Sequence, residues 1–454
     1  MQQRLLELAS TDNGLRDSAF AKNKDLPVHR WVPWIAGFSA QFVGDCLTKY
    51  LPDSRKDDVW ILDPFAGVGT TLIEAYARGH NVIGFEINPY AALAAKVKLQ
   101  ASSVRPKALA AHINGFKTFL NQHGTNGARN GKPRSTAPVG FAGRTEFFSP
   151  KVERKMLLAL DYINNIGVPT IRDIFRLAFG SMMVSVSNYS YEPSLTRRSA
   201  VDKKPILDAS VGEVLSGKLN LMLQDIEWLQ TEKKKLPNSP DWKVYADSIF
   251  SAPEKLNRSA FVDLIITSPP YLNNYHYPRN TRPQLHWLGL ASGPGYKAAR
   301  EHESFGKFWQ TVRDLPPVAL SFRLPELERT IGAIRHLNGN KGHYGGAGWA
   351  NYAATYFNDT FRFCEVAVQL LRPGSVAVVV LGNSIIQGVE VRTDDFFGKI
   401  GELCGLTFED NLLLRKKRTG TSIIQSSVRV DKAAQKTVLY ESAVVLRKKR
   451  DGRA

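Results

Sequence analysis

A chain of 454 residues with 60 Lys and Arg against 42 Asp and Glu carries a formal net charge of +18, and such an excess points to a polyanionic partner, nucleic acid first. At 43% hydrophobic residues it can build a sizeable core. No apolar run approaches the ~20 residues that span a bilayer, and Cys46, Cys364 and Cys404 lie far apart with no CxxC pair, so membrane-spanning, zinc-ribbon and disulfide-framework classes drop out.

The first twenty residues, MQQRLLELASTDNGLRDSAF, lack a charged segment leading into an apolar core. They predict no signal peptide and a cytoplasmic location. Residues 57–100 predict strand, turn, helix, strand, helix. DDVWILD is β-branched and aromatic, GTTLIEAYARG has helical spacing closed by Gly79, NVIGFE is a second strand, and Pro89 opens PYAALAAKVKLQ. Alternation of this kind means a parallel sheet with right-handed crossovers.

The pattern then stops. Residues 121–140 are rich in Gly, Asn and Pro and predict a loop. Three helical stretches follow, SPKVERKMLLALDYINNI, TIRDIFRLAFGSMMVSVSN and VGEVLSGKLNLMLQDIEWLQTEKKK. Between the last two lies YSYEPSLTRRSAVDKKP, a loop dense in aromatic and basic residues. The α/β pattern resumes at WKVYADS and FVDLIIT. An irregular segment over about 272–350 precedes the helix YFNDTFRFCEVAVQLLRPG and the buried strand SVAVVVLG. The tail predicts two more strands, an antiparallel pair at the sheet edge. The fold class expected is α/β, a Rossmann-like domain with a mainly parallel seven-stranded sheet, a helical insertion and a second insertion.

Two stretches carry chemistry. In ILDPFAGVGTTLIEA a strand delivers Asp63 to its carboxyl end, and Gly67 and Gly69 then let backbone approach a ligand. Leu72 stands where a dinucleotide fingerprint needs its third glycine, and no Gly-Lys-Ser/Thr follows, so neither a dinucleotide nor a phosphate loop is indicated. Glu86, ending the next strand, suits ribose hydroxyls. A site with an acidic ribose partner and no phosphate cradle suits S-adenosyl-L-methionine. The second stretch, TSPPY, ends a buried strand in a rigid corner. The Ser268 hydroxyl and a backbone carbonyl offer two fixed acceptors, which match the two N–H donors of an amino group. Tyr271 adds a flat face for a base. No Pro-Cys pair occurs, so the cysteine nucleophile of C5-cytosine methylation is missing. The scattered histidines show no metal-ligand spacing.

DPFAGVGTT together with TSPPY resembles the DNA amino-methyltransferases, which methylate cytosine N4 or adenine N6. The resemblance implies that Asp63, Pro64, Phe65, Ala66, Gly67, Gly69, Thr70, Glu86 and Ile87 bind S-adenosyl-L-methionine. It makes Ser268, Pro269, Pro270 and Tyr271 catalytic. VHRWVPWIAGFSAQFV resembles the amino-terminal cofactor motif, with Phe38 and Ser39 at its centre, and YADS resembles the loop that contacts the cofactor adenine, through Asp247 and Ser248. The Ser form of the corner is the form of the N4-cytosine branch. Adenine N6 is the first alternative and guanine N2 of RNA the second. The motif order resembles the gamma arrangement, which normally puts target recognition at the carboxyl end, where this chain has strands.

The resulting division is 1–100 for the first half of the core, 101–240 for a helical insertion, 241–275 for the catalytic strand region, 276–350 for a target-recognition insertion and 351–454 for the rest of the core. Tyr191, Arg197, Arg198, Arg279 and Arg282 are the expected contacts to double-stranded DNA. A restriction endonuclease or defence-system partner fits the same family.

Overall fold

The structure is a computed structural model and describes residues 14–16, 20–34, 37, 39–51, 58–123, 132–138, 147–192, 194–234, 239–272, 277–291, 296–416 and 439–450. It opens with α1 (Ala40–Tyr50), β1 (Trp60–Asp63), α2 (Thr70–Ala77), β2 (Asn81–Phe85) and α3 (Pro89–Gln100). Helices α4 (Pro106–His123), α5 (Pro150–Asn164) and α6 (Pro169–Met182) follow, then the hairpin β3 (Tyr189–Tyr191) and β4 (Leu195–Arg197), then α7 (Val211–Lys233). The α/β pattern returns with β5 (Trp242–Tyr245), α8 (Ala252–Leu256) and β6 (Val262–Thr267). After α9 (Tyr277–Trp287), α10 (Tyr296–Glu303), α11 (Trp309–Val312), α12 (Pro325–Arg335) and α13 (Gly346–Leu370) comes β7 (Leu371–Gly382). A second hairpin, β8 (Ser384–Ile386) and β9 (Val389–Val391), leads to α14 (Thr393–Leu403), β10 (Leu406–Lys416) and β11 (Tyr440–Lys448).

Seven strands form one sheet in the order β10-β11-β7-β6-β1-β2-β5. The five strands from β7 to β5 pair in parallel, while β11 runs antiparallel to both β7 and β10. The expected mainly parallel seven-stranded sheet and the antiparallel pair at its edge are both present. From β1 the chain winds outward through β2 to β5, then crosses back to the other side of β1 as β6. That reversal leaves a crevice between β1 and β6 at the carboxyl edge, where ligands of open α/β sheets bind.

Strand β6 is buried along its whole length, and its side chains divide by the two-residue period of a strand. Leu264 and Ile266 join Ile61 and Val82 in one core, with α1–α3 and also α4–α7. Ile265 joins Leu62 and Ile83 in the other, with α12, α13 and α14. Helices α4–α7 thus form a layer continuous with one face of the sheet. Within it, buried Asp225 on α7 accepts from the backbone N–H of Val28 at 2.8 Å, the Trp31 indole at 2.8 Å and the Arg30 guanidinium at 2.5 Å. This ties the segment before α1 to α7, some two hundred residues later in sequence.

Several elements differ from expectation, among them the β3–β4 hairpin, which occupies the stretch read as a loop dense in aromatic and basic residues. Helix α4 occupies residues read as the end of the regular pattern, because its only deeply buried residues are Leu109, Ile113 and Phe116 and its apolar stripe is short. The segment 272–350 holds α9–α12, where proline-containing and charged sequences obscure the helical period. Helix α13 begins ten residues early, in GAGWANYAAT. Those glycines permit backbone contact: a Cβ on Gly346 would lie 1.9 Å from the Ile334 carbonyl oxygen, and one on Gly348 would lie 2.1 Å from that of His343.

Candidate active site

Because β6, β1, β2 and β5 are neighbours and parallel, their carboxyl ends form one row. Ser268, Asp63, Glu86 and Asp247 leave the sheet along that row in this order. The register pairs Leu62 with Ile265, Asp63 with Gly84, and Phe85 with Tyr245. Four stretches spread over about two hundred residues of sequence therefore share one edge.

The turn after β1 is set by its glycines. Gly67 and Gly69 have φ of +50° and +85°, values that L side chains rarely adopt. Gly69 caps α2, and a Cβ there would sit 3.0 Å from the Ala95 Cβ and 3.1 Å from its Cα on α3. Gly69→Ala is expected to cost about 1–3 kcal/mol through left-handed strain and overpacking, and to weaken cofactor binding as α2 is displaced. Urea unfolding and calorimetric titration with S-adenosyl-L-methionine check both.

Hydrogen bonds fix the rest of the turn. The Gly67 and Asn88 N–H groups each donate to the Glu86 carboxylate at 2.7 Å. Phe65 N–H donates to Asp63 at 3.1 Å, and the buried Lys98 ammonium donates to the Val68 carbonyl at 2.9 Å. Pro64, Ala66 and Thr70 are buried, Ile87 is half-buried, and the Phe65 ring packs edge-on to Phe305 at 5.1 Å. Gly67 remains partly open, with the Trp34 indole nitrogen 3.4 Å from where its Cβ would be. Trp34 and Lys98 are absent from the sequence-derived site. Trp34 lies four residues before Phe38, which falls outside the described residues. Ser39 caps α1, accepting from Gln41 N–H and Phe42 N–H at 3.1 and 3.4 Å.

Burial raises both carboxyls of this turn. Asp63 is pushed up to about 6, with hydrogen bonds from Thr267 and others pulling the other way. Glu86 is pushed up to about 7, opposed by its two backbone donors. Further along the edge, Asp247 forms an ion pair with Lys255 at 2.9 Å and accepts from Ser248 N–H at 2.8 Å. Lys255 beside it holds its carboxyl below the usual range against the effect of burial. The Ser248 hydroxyl accepts from Phe250 N–H and donates to the Glu303 carbonyl at 2.7 Å, so it pins α10 beside the cofactor turn.

At the other side of the crevice, the Thr267 hydroxyl donates to Asp63 at 2.6 Å. Thr267 is fully buried and opens the TSPPY stretch, yet the motif gives it no role; only the pairing of β1 with β6 reveals its partner. This bond joins the end of the cofactor strand to the residue preceding Ser268. Ser268 is half-buried, Pro269 is buried, and Pro270 and Tyr271 are half-buried. No hydrogen bond of the Ser268 hydroxyl is found among the described residues. The Tyr271 phenol donates to Glu441 at 3.0 Å.

The expected DNA contacts fall in two elements that meet. Leu195 N–H of the β3–β4 hairpin donates to the Asn280 side chain on α9 at 2.9 Å, and the Tyr191 phenol donates to the Asn280 carbonyl at 3.2 Å. The Asn88 amide donates to Thr281 at 2.8 Å, which ties α9 to the loop after β2. Arg197 and Arg279 are exposed, while Arg198 and Arg282 are half-buried. Arg197 also donates to the Tyr189 phenol and Arg198 to the Lys204 carbonyl. Hairpin and helix thus stand together over the catalytic edge.

An open, mainly parallel sheet with a Gly-x-Gly turn, an acidic residue ending the next strand and a Ser-Pro-Pro-Tyr corner across the switch point has the arrangement in which open α/β sheets bind ligands. The donor set fits S-adenosyl-L-methionine: an acidic residue ends β2, Gly67 leaves backbone accessible, and the first turn of α2 holds no cationic side chain for a phosphate. Comparison with known proteins agrees. The DNA methylase family model matches residues 14–97. The chain is similar to the Type II methyltransferase M.BsoBI of Geobacillus stearothermophilus, 26% identical with 89% of this chain and 83% of that protein covered. It is also similar to the Type II methyltransferase M.AvaI of Anabaena variabilis, at 24% with 87% and 82% covered. The Type II methyltransferase M.MvaI of Kocuria varians matches at 25% over 51% of each chain. These likenesses support a DNA methyltransferase of the amino-methyltransferase family, and S-adenosyl-L-methionine is the methyl donor that they and the fold imply.

Proposed function

We propose that the protein transfers a methyl group from S-adenosyl-L-methionine to the exocyclic N4 amine of cytosine, at a defined site in double-stranded DNA, as the modification enzyme of a cytoplasmic restriction–modification or phage-defence system. The observation that carries this reading is the Asp63–Thr267 bond, which brings the catalytic corner against the cofactor turn. Ser268 in the first position of that corner supports cytosine over adenine, through the family resemblance.

The bound cofactor supplies an electrophilic sulfonium methyl. The target base leaves the duplex, because its amine is inaccessible while stacked. The Ser268 hydroxyl and Pro269 carbonyl accept hydrogen bonds from the two amine N–H groups and raise electron density on the nitrogen, which gives up one of those protons to solvent on methylation. Tyr271 offers its ring to the base. Both acceptors sit on a backbone stiffened by two prolines, so catalysis rests on positioning and electrostatics. Arg197, Arg198, Arg279 and Arg282, with Tyr191, serve the backbone and bases around the extruded nucleotide. Residues 276–350 and the hairpin within 101–240 are the parts we assign to target recognition.

Nucleoside mass spectrometry of DNA treated with the protein tests the product: N4-methylcytosine is expected, and N6-methyladenine in its place would overturn the base assignment. In this reading Glu86 accepts cofactor hydroxyls as the carboxylate. Cofactor affinity should therefore rise with pH through about 7 and level off above it, and Glu86→Gln should flatten the profile in calorimetric titrations. Stability of the ligand-free protein has the opposite sign. Between ~4.3, the ordinary Glu value, and about 7 the folded state holds a proton that the unfolded chain has released, so this contribution falls as pH rises across that window.

A further inference from the structure

Glu441 is a buried carboxylate on a strand next to the edge of the sheet, 4% exposed, in a place where no motif calls for one. One oxygen accepts from the Tyr271 phenol at 3.0 Å and the other from the Arg415 Nε at 2.5 Å. It lies opposite Gly382 at the carboxyl end of β7 and opposite Arg415 on β10. Gly382 makes room: a Cβ there would fall 2.2 Å from the Tyr440 carbonyl oxygen and 3.7 Å from the Glu441 Cγ. The side chain therefore enters the catalytic edge from the strand beyond β7. Burying a carboxylate costs free energy that its half-exposed partner Arg415 offsets only in part, so fold stability alone does not account for it.

We propose that Glu441, itself held by Arg415, is a positioning residue that fixes the ring of Tyr271 as the stacking face for the extruded base. The inference rests on the reading of Tyr271 given above. Tyr271 is half-buried against the core. Anchoring its phenol oxygen on a carboxylate that Arg415 also holds fixes the direction in which the ring points, and the preference of a phenolic O–H for the ring plane then favours one ring orientation before the base arrives. The antiparallel pair β10–β11 thereby acts as more than a cover for the sheet edge: it supplies the clamp.

The test pairs activity with a probe of the ring itself. Glu441→Leu and Tyr271→Phe should each lower the single-turnover methylation rate about 10-fold, the loss expected for one hydrogen bond to a charged group. The double variant should be no slower than the slower single, and KM for S-adenosyl-L-methionine should not change. Glu441→Gln, which keeps an acceptor, should recover most of the rate. Multiplying effects in the double variant, or no rescue by Gln, would overturn the proposal. Independently, the protein labelled with 3-fluorotyrosine should show a 19F resonance, assigned by Tyr271→Phe, that moves in Glu441→Leu without DNA present and returns toward its wild-type position in Glu441→Gln. An unmoved resonance sinks the clamp even if no DNA base is methylated, whereas failure of the wild-type protein to methylate any base with the resonance shift intact would sink the function and leave the clamp standing.

Discussion

Ser268→Ala is expected to abolish most methyl transfer, lowering kcat by about 10²–10³, while fold and cofactor affinity stay unchanged. The magnitude is that for loss of one preorganised polar group acting on charge that develops in the transition state. The structure gives reason to expect the separation of effects. Ser268 follows a strand whose six residues are all buried, so the backbone path is set by β6 and by Pro269 and Pro270 rather than by the serine side chain. Its hydroxyl holds no bond to the described residues that the substitution would break, and the link to the cofactor turn runs through Thr267 instead. Thermal unfolding, titration with S-adenosyl-L-methionine and single-turnover methylation distinguish the outcomes. A variant that methylates DNA at the wild-type rate would remove Ser268 from the mechanism. One that loses cofactor affinity in equal proportion would make it a structural residue.

Asp225→Ala should produce the largest loss of stability, about 3–5 kcal/mol in urea unfolding, the range for breaking a buried charge pair. Asp225 is 1% exposed and receives Val28 N–H, the Trp31 indole and Arg30. Val28 and Trp31 are themselves fully buried, so removal of the carboxylate strands two donors away from water as well as the guanidinium. Val28 holds a φ of +66°, a conformation that a β-branched residue does not keep without support. Release of this segment would also let Trp34 leave the side of Gly67. A weakened S-adenosyl-L-methionine titration should therefore accompany the loss of stability, although Asp225 lies on a helix of the region first read as an insertion. Asp225→Asn, which keeps acceptors for Val28 and Trp31, should lose less.

Much of the core was legible because local signals agreed. The strand and helix periods of residues 57–100, the glycines of the turn and the continuous apolar run of β6 each follow from sequence-local geometry. What escaped prediction has two sources. Helix α9 and the first ten residues of α13 are built from Pro-, Arg- or Gly-rich sequence, α11 is a single turn, and the apolar stripe of α12, Leu327, Ile331 and Ile334, is short. Thr267, Trp34, Lys98, Asp225 and Glu441 are residues to which no motif assigns a role, and each matters through a partner remote in the chain.

The sequence by itself determined the sheet-forming strands, the left-handed glycine turn, the stiff Ser-Pro-Pro-Tyr corner and the lack of any Pro-Cys pair, since each depends on residue type and spacing over a few positions. Only the tertiary structure decided that β6 crosses back beside β1, so that Asp63 and Thr267 meet. The same holds for the helical layer that shares the core of the sheet and grips the amino-terminal segment, and for the strand pair at the far edge that reaches Tyr271. The physical reason is common to all three. Buried polar groups must find partners, and in this fold those partners lie about two hundred residues away along the chain, beyond the reach of any local pattern.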